Sequence, residues 1–422
     1  MRKIGLFLLV FPLLLISCQS ANVSTFTPGM VGTQSREVSP HIVQGGSGSQ
    51  WITVEPFNCC VFGLVAGPKS TVWFVGDPNL VGRIDMAHNV TTYPLPILNS
   101  LGTSDSLTTG PDGNVWVIIP RKDSQQAIVK VTPSGSMTSF HAPCATGPFA
   151  GIASGPDGNL WFGIGAEMIG RITPAGQSTC FPTSAFSYSV AAGPDGNVWF
   201  TETGASGPAL GKITPSGTLT EYPEVNDCVT FGFGLITAGD RNLYASCFTG
   251  LARISPADGS EKIISAVNVE RNLAVSGTGR DAKLYYAVYP NHFRTRHLAT
   301  GIVDDDILPP GRGQAQYVAF GSDGNLWYYS FQGELGVDVF RILTVDPLTM
   351  SLSVGQSQTA TASEANRPSG SLIAKSMNPA IATVVNGSSP GEFNVTGQGV
   401  GSTSIRISDR VHNSVEISVT VQ

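Results

Sequence analysis

The sequence predicts an all-β protein, a seven-bladed β-propeller followed by a small β-sandwich, and three observations carry that prediction. First, a Gly-rich turn followed by Leu or Val and then Trp or Tyr recurs seven times. Four copies are nearly identical: Gly110-Pro111-Asp112-Gly113-Asn114-Val115-Trp116, Gly155 to Trp161, Gly193 to Trp199, and Gly321 to Trp327. Three are degenerate: Gly67 to Trp73, Gly239 to Tyr244, and Gly277 to Tyr285. The closing aromatics stand 38 to 45 residues apart, the period of one propeller blade per repeat when the text is strand-like and shows no helical stripe. Second, 49 Gly and 28 Pro with only 13% charged residues suit short strands and tight turns rather than solvated helices. Third, the period breaks near residue 344 and gives way to short alternating strands.

Each repeat divides into four strands. In the fourth, Ser189–Ala192 is the inner strand and Asp195-Gly196 the hairpin turn, where Gly relieves a positive φ. Val198–Thr201 and Ala209–Thr214 follow, Pro215-Ser216-Gly217 turns the chain, and Leu219–Tyr222 is outermost. The Asp residues of these turns read as hairpin residues, not calcium ligands. In the seventh repeat the expected third strand is Phe340–Leu343, and no fourth follows. Ile52–Phe57, which resembles the outer strands, is expected to supply it and close the ring, removing an exposed sheet edge.

The N-terminus reads as an export signal, residues 1–17. Arg2 and Lys3 precede an apolar run too short to span a bilayer. Leu15-Ile16-Ser17-Cys18 resembles a bacterial lipobox, which implies a lipid on Cys18 and a membrane-anchored, extracytoplasmic protein. Gln19 after the Cys favours the outer membrane by the same resemblance. Residues 18–50, rich in Ser, Thr, Gly and Gln, are expected to be a flexible tether, with the propeller at 51–344 and the sandwich at 345–422. Six further cysteines in an exported chain point to disulfides. Cys144–Cys180 and Cys228–Cys247 are the expected pairs, although spacing leaves the connectivity open; metal binding by Cys59-Cys60 lacks a supporting quartet.

Residues 345–422 carry Leu352-Ser353-Val354-Gly355, Asn378-Pro379-Ala380-Ile381-Ala382-Thr383-Val384 and Gly397-Gln398-Gly399-Val400-Gly401-Ser402-Thr403. These motifs resemble the bacterial Ig-like group 2 domain, which implies a spacer or adhesion module. The repeat Ile/Val-Ala-x-Gly-Pro-Asp-Gly-Asn-Leu/Val-Trp-Phe, ending once in Thr201-Glu202, resembles the virginiamycin B lyase (streptogramin lyase) family. That resemblance implies a propeller that opens the ester of a cyclic depsipeptide by elimination, using histidine and Mg²⁺. In the family a Glu closes the Trp-Phe-Thr-Glu strand 14 residues after an inner-strand His. Here Glu202 supplies the Glu, but Tyr188 stands at the His position. The equivalent places hold Phe62, Asp105, Ala150, Phe233, Asn272 and Gln316.

Proton abstraction beside an ester carbonyl needs a positioned base. Glu202 is the candidate base or metal ligand. His292 and His297, read as part of a long loop between second and third strands, are its candidate partners. Asp304-Asp305-Asp306 reads as an exposed acidic loop. The expected channel mouth is ringed by Phe62, Asp105, Tyr188, Phe233, Asn272 and Gln316, an aromatic and amide rim suited to a glycan, peptide or protein ligand; packing between blades is the alternative role for its aromatics. A net charge of −6 without a basic run argues against nucleic acid. The sequence therefore favours a monomeric, exported binding lipoprotein without a cofactor. The alternative is a divergent lyase that uses Glu202, a histidine and Mg²⁺.

Overall fold

The computed structural model describes residues 41–44, 50–53, 61–76, 80–85, 88–96, 106–119, 127–141, 149–204, 207–222, 234–247, 250–267, 269–289, 291–307, 315–321, 324–330, 334–338, 342–365, 372–408 and 414–422. Period-two alternation makes each repeat an antiparallel sheet with both faces apolar, so every sheet needs a neighbour on each side. Among the described residues, seven sheets meet that need. Their inner strands are Val61–Gly67, Leu107–Thr109, Phe149–Ser154, Phe186–Ala192, Leu235–Thr237, Val269–Ser276 and Ala315–Phe320. Each packs against the next, and the last packs against the first, closing a β-propeller. We number the sheets 1 to 7 in this order.

One apolar core fills each seam. Trp161, Ile169, Val190, Val198, Phe200 and Ile213 occupy the seam between sheets 3 and 4. Trp199, Leu210, Leu235, Leu243 and Ile254 occupy the next. The repeat motif is the device that locks these seams. Asp112, Asp157 and Asp195 accept the indole N–H of Trp116, Trp161 and Trp199 at 3.0, 3.1 and 3.0 Å. Burial alone would raise these carboxyls, but hydrogen bonds from Asn and Trp outweigh it and hold all three below the usual carboxylate range. An outer-strand ring stacks on each Trp: Phe140 on Trp116, Phe181 on Trp161 and Tyr222 on Trp199. A third-strand cation, Lys130, Arg171 or Lys212, lies 5.0 to 5.5 Å from the same indole.

The Pro-x-Gly turns do more than reverse the chain. Arg83, Lys130 and Arg171 donate to the carbonyls of Pro133, Pro174 and Pro215 in the following sheet, at 2.7, 3.0 and 2.6 Å. Gly135, Gly176 and Gly217, at φ of 89°, 93° and 96°, lie against Tyr93, Phe140 and Phe181 of the preceding sheet. A second glycine position makes room for a ring within a sheet. A Cβ on Gly211 would stand 2.2 Å from Phe200 Cζ. Gly211→Ala is therefore expected to cost roughly 1–3 kcal/mol by overpacking, and Phe200→Leu in the same chain to restore part of it. Urea melts of the single and double variants check this; a Gly211→Ala protein as stable as the parent would refute it.

Several strand assignments differ from the sequence reading. The third strand of sheet 7 is Glu334–Asp338, not Phe340–Leu343. Leu335 is buried there, opposite Tyr329, whereas Ile342–Asp346 pairs with Ser357–Ala365 and places Val345 in the C-terminal core. The closing strand is Gln50–Thr53, antiparallel to Glu334–Asp338. His41–Gln44, within the expected tether, adds a fifth strand to the same sheet. His292–His297 is the third strand of sheet 6 and Val303–Ile307 its fourth, so neither the two histidines nor the three aspartates belong to loops. Cys180 is disulfide-bonded, while its expected partner Cys144 lies outside the described residues.

The C-terminal residues form two four-stranded sheets, Ile342–Asp346/Ser357–Ala365/Glu392–Gly397/Ala382–Asn386 and Thr349–Leu352/Ser414–Val421/Gly401–Ser408/Ile373–Ser376. They share a core that includes Met350, Phe393, Val395, Ile405, Ile407 and Ile417. Thr349–Leu352 runs parallel to Ser414–Val421, and all other pairings among these strands are antiparallel.

Candidate functional site

The seven inner strands enclose a channel of about 510 Å³. Its wall combines small and polar residues, among them Ala66, Ser106, Gly151, Thr237 and Asn272, with aliphatic ones such as Leu64, Leu107, Ile152 and Leu273. Polar groups on the inner strands also bind sheet to sheet. Thr109, Ser154 and Thr237 hydroxyls donate to the carbonyls of Ala66, Thr109 and Ala192 in the preceding sheet, at 2.5, 2.7 and 2.5 Å. Ser106 Oγ accepts from Ile152 N at 3.0 Å, and Asn272 Oδ1 accepts from Val318 N at 3.1 Å. Asn272, expected at the mouth, thus lines the channel and ties sheet 6 to sheet 7.

Among the other expected mouth residues, Phe62 is half-buried and packs on the core between sheets 1 and 2. Gln316 is half-buried at the start of its inner strand. Tyr188 is half-buried in an irregular stretch between Ser187 and Val190. Its carbonyl approaches sheet 3 so closely that a Cβ on Gly163 would lie 2.5 Å from it. Phe186 beside it is 42% exposed, and Tyr289, after the second strand of sheet 6, is 58% exposed. Both stand where inner strands begin and second strands end, so they add aromatic surface to the same end of the channel. Asp105, Phe233 and the lipobox Cys18 lie outside the described residues.

Glu202 sits on the second strand of sheet 4, opposite Ser187 and Ala209. It shares a face with Val198 and Phe200, which pack toward sheet 3, so its carboxyl enters the seam between sheets 3 and 4. The residue is fully buried, and among the described residues neither carboxyl oxygen completes a hydrogen bond of good geometry. The polar groups beside it are Glu221 and Thr183. Burial first, and the Glu221 carboxyl second, push the Glu202 carboxyl up to about 8. Ser184 N–H donates to Glu221 at 2.8 Å, and the Thr183 hydroxyl to Ala185 O at 2.7 Å. Ser187, which the sequence reading passed over, crosses the same seam: its hydroxyl accepts from Ile164 N and donates to Met168 O, at 3.0 and 2.5 Å. No sequence signal separates it from an ordinary strand serine.

The two histidines lie on sheet 6, with sheet 5 between them and Glu202. His292 Nδ1 is 2.9 Å from Asp305 Oδ1, and Arg294 approaches the other oxygen of that carboxylate at 3.1 and 3.3 Å. His297 Nε2 is 2.8 Å from Asp304 Oδ2. The structure therefore does not bring Glu202, His292 and His297 together. Among the described residues, no group of three or more His, Cys, Asp or Glu converges as a metal site would require.

The chain belongs to the virginiamycin B lyase family, whose sequence profile matches residues 40–255. No curated protein matches the chain. Among solved structures it is similar to a streptogramin B lyase, at 19% identity and a TM-score of 0.59, covering 68% of this chain and 96% of that one. It is similar to the virginiamycin B lyase of Staphylococcus aureus, at 20% identity and a TM-score of 0.59, covering 69% and 99%. It is also similar to YCF48 bound to D1 peptide, at 14% identity and a TM-score of 0.54, covering 72% and 98%. At these identities the likeness is one of fold.

Proposed function

We propose that this member of the virginiamycin B lyase family is an exported lipoprotein, anchored through Cys18, whose seven-bladed propeller binds an extracytoplasmic ligand at the channel mouth without turning it over. The C-terminal sandwich, read as an Ig-like module, acts as a spacer. The observation that carries the reading is the placement of the lyase-type groups. Glu202 is sealed in a seam, and His292 and His297 are held by aspartates two sheets away. A general base must reach the proton it removes. The exposed Phe186 and Tyr289, with Tyr188 and Gln316, offer instead the flat apolar and amide surface that suits a glycan, a peptide or a protein loop.

The test is turnover against binding. A Cys18→Ala protein is incubated with quinupristin and Mg²⁺, and ring opening is followed by chromatography. The expected result is no conversion above the protein-free rate. Conversion that Glu202→Gln abolishes would replace this reading with the divergent lyase.

A further inference from the structure

One layer of the channel departs from the uniformity of the repeat. In every sheet the inner-strand residue that pairs one place beyond the repeat's Trp or Tyr is aliphatic. Leu64 pairs with Phe74, Leu107 with Val117 and Ile152 with Phe162. Val190, Leu235, Leu273 and Val318 hold the same place in sheets 4 to 7. The residue just before it alternates around the ring instead. Sheets 1, 3 and 5 carry Gly63, Gly151 and Gly234, and sheets 2, 4 and 6 carry Ser106, Ser189 and Asn272. Sheet 7 carries Tyr317, which is buried in the core shared with sheet 1. The layer lies one residue deeper than Tyr188, just inside the mouth.

Ser106, Ser189 and Asn272 are half-buried and line the channel. Ser106 Oγ and Asn272 Oδ1 each accept the N–H of the aliphatic residue in the next inner strand, Ile152 and Val318, at 3.0 and 3.1 Å. Those bonds hold both side chains in place. They leave the Ser106 O–H and the Asn272 amide N–H groups as donors with no acceptor among the described residues. Ser189 donates its backbone N–H to Thr201 Oγ1 at 3.1 Å, and its hydroxyl makes no hydrogen bond with a described residue. Gly151 and Gly234 between them leave the backbone bare, which lets a ligand approach it closely. Gly151 has a packing role as well, since a Cβ there would lie 2.8 Å from Tyr188 O. No charged side chain is among the channel's described lining residues. A charge carried inside would find no counter-ion there, which is costly.

We propose that Ser106, Ser189 and Asn272 form a recognition ring for a neutral saccharide, one sugar unit of which enters the channel. The proposal rests on the mouth-binding reading and names the ligand for it. Two of the three side chains have spent an acceptor on the neighbouring strand, so what the ring offers is mostly donors. Sugar hydroxyls accept from such donors, whereas the N–H groups of a peptide need acceptors. Phe186 and Tyr289, exposed at the mouth, give the next sugar unit a flat face to stack on. The channel volume of about 510 Å³ is that of a small-molecule site.

Ligand-observed NMR titrations of the Cys18→Ala protein with cellobiose, N,N′-diacetylchitobiose and N-acetyl-trialanine amide test the ring. Saturable binding of at least one of the sugars, tighter than that of the peptide, is expected. Ser189→Ala removes only the open hydroxyl and should weaken sugar binding roughly 2- to 10-fold. Asn272→Asp keeps an acceptor for Val318 N but removes the amide donors, and should weaken it about tenfold or more. Phe186→Ala and Tyr289→Ala separate the ring from the mouth. Sugar binding that these two weaken, and that Ser189→Ala and Asn272→Asp leave unchanged, would overturn the ring and keep the mouth reading. Tighter binding of the peptide would overturn the saccharide assignment. Binding of neither sugar would overturn the ring outright, while the mouth reading is judged by its own turnover test.

Discussion

Trp161→Ala is expected to lower stability by roughly 3–5 kcal/mol, a large part of the ~5–15 kcal/mol that holds a typical domain together. Trp161 is fully buried in the seam between sheets 3 and 4. Three partners lose their seat at once. Phe181 stacks on the indole at 5.5 Å, Arg171 lies 5.5 Å from its centroid, and Asp157 accepts its N–H at 3.1 Å. Truncation leaves a cavity and strips Asp157 of a donor that helps keep it ionised. Trp161→Phe retains most of the apolar area and should cost about 1.5–3 kcal/mol beyond the lost volume, the scale of one hydrogen bond to a charged group. Tyr244→Phe is the matched control in the degenerate repeat, because it deletes only the 2.7 Å bond to Asp240. Urea-melt midpoints rank the three. If Trp161→Ala lost no more than Tyr244→Phe, the motif would be turn chemistry alone and not a seam lock.

That motif was the most legible part of the molecule. Its glycines, aspartate and tryptophan are close in sequence, so local text reveals the turn and the period. The lock itself was not legible, because its other members come from the next strand, the outer strand and the following sheet. Arg171, Phe181 and Pro215 read as unrelated residues until the seam brings them together. The third strand of sheet 6 was missed for a similar reason. His292-Phe293-Arg294-Thr295-Arg296-His297 lacks the Gly-Lys-Ile text of its counterparts, and its strand form rests on Phe293 packing against Tyr328 and on ion pairs with Val303–Ile307. The orientation of Glu202 could have been read. It alternates with Val198 and Phe200, opposite in parity to Trp199, which directs it into a seam. What parity cannot show is that Glu221 waits there, since that residue arrives from the outer strand.

The Glu202 carboxyl makes stability depend on pH in a direction opposite to that of most carboxylates. Its ordinary value near 4.5 is pushed up to about 8 in the folded chain. The folded state thus holds the proton more tightly than the unfolded one. The stabilisation is complete below 4.5 and is lost as pH rises through about 8. The protonated acid can donate to Glu221, which also accepts from Ser184 N–H; the ionised form would place two like charges together in a seam whose cation, Arg171, is engaged by Trp161 and the Pro215 carbonyl. Glu202→Gln keeps the shape and supplies a permanent donor. It should melt several °C above the parent at pH 9 and close to it at pH 5, differences that calorimetry resolves. Parallel melting curves would mean that Glu202 is ionised in the fold and has a partner. Mg²⁺ then separates the remaining readings: if the ion raises the parent's melting temperature at pH 9 and leaves Glu202→Gln unchanged, Glu202 is a metal ligand and the lyase-like reading gains its first chemical support.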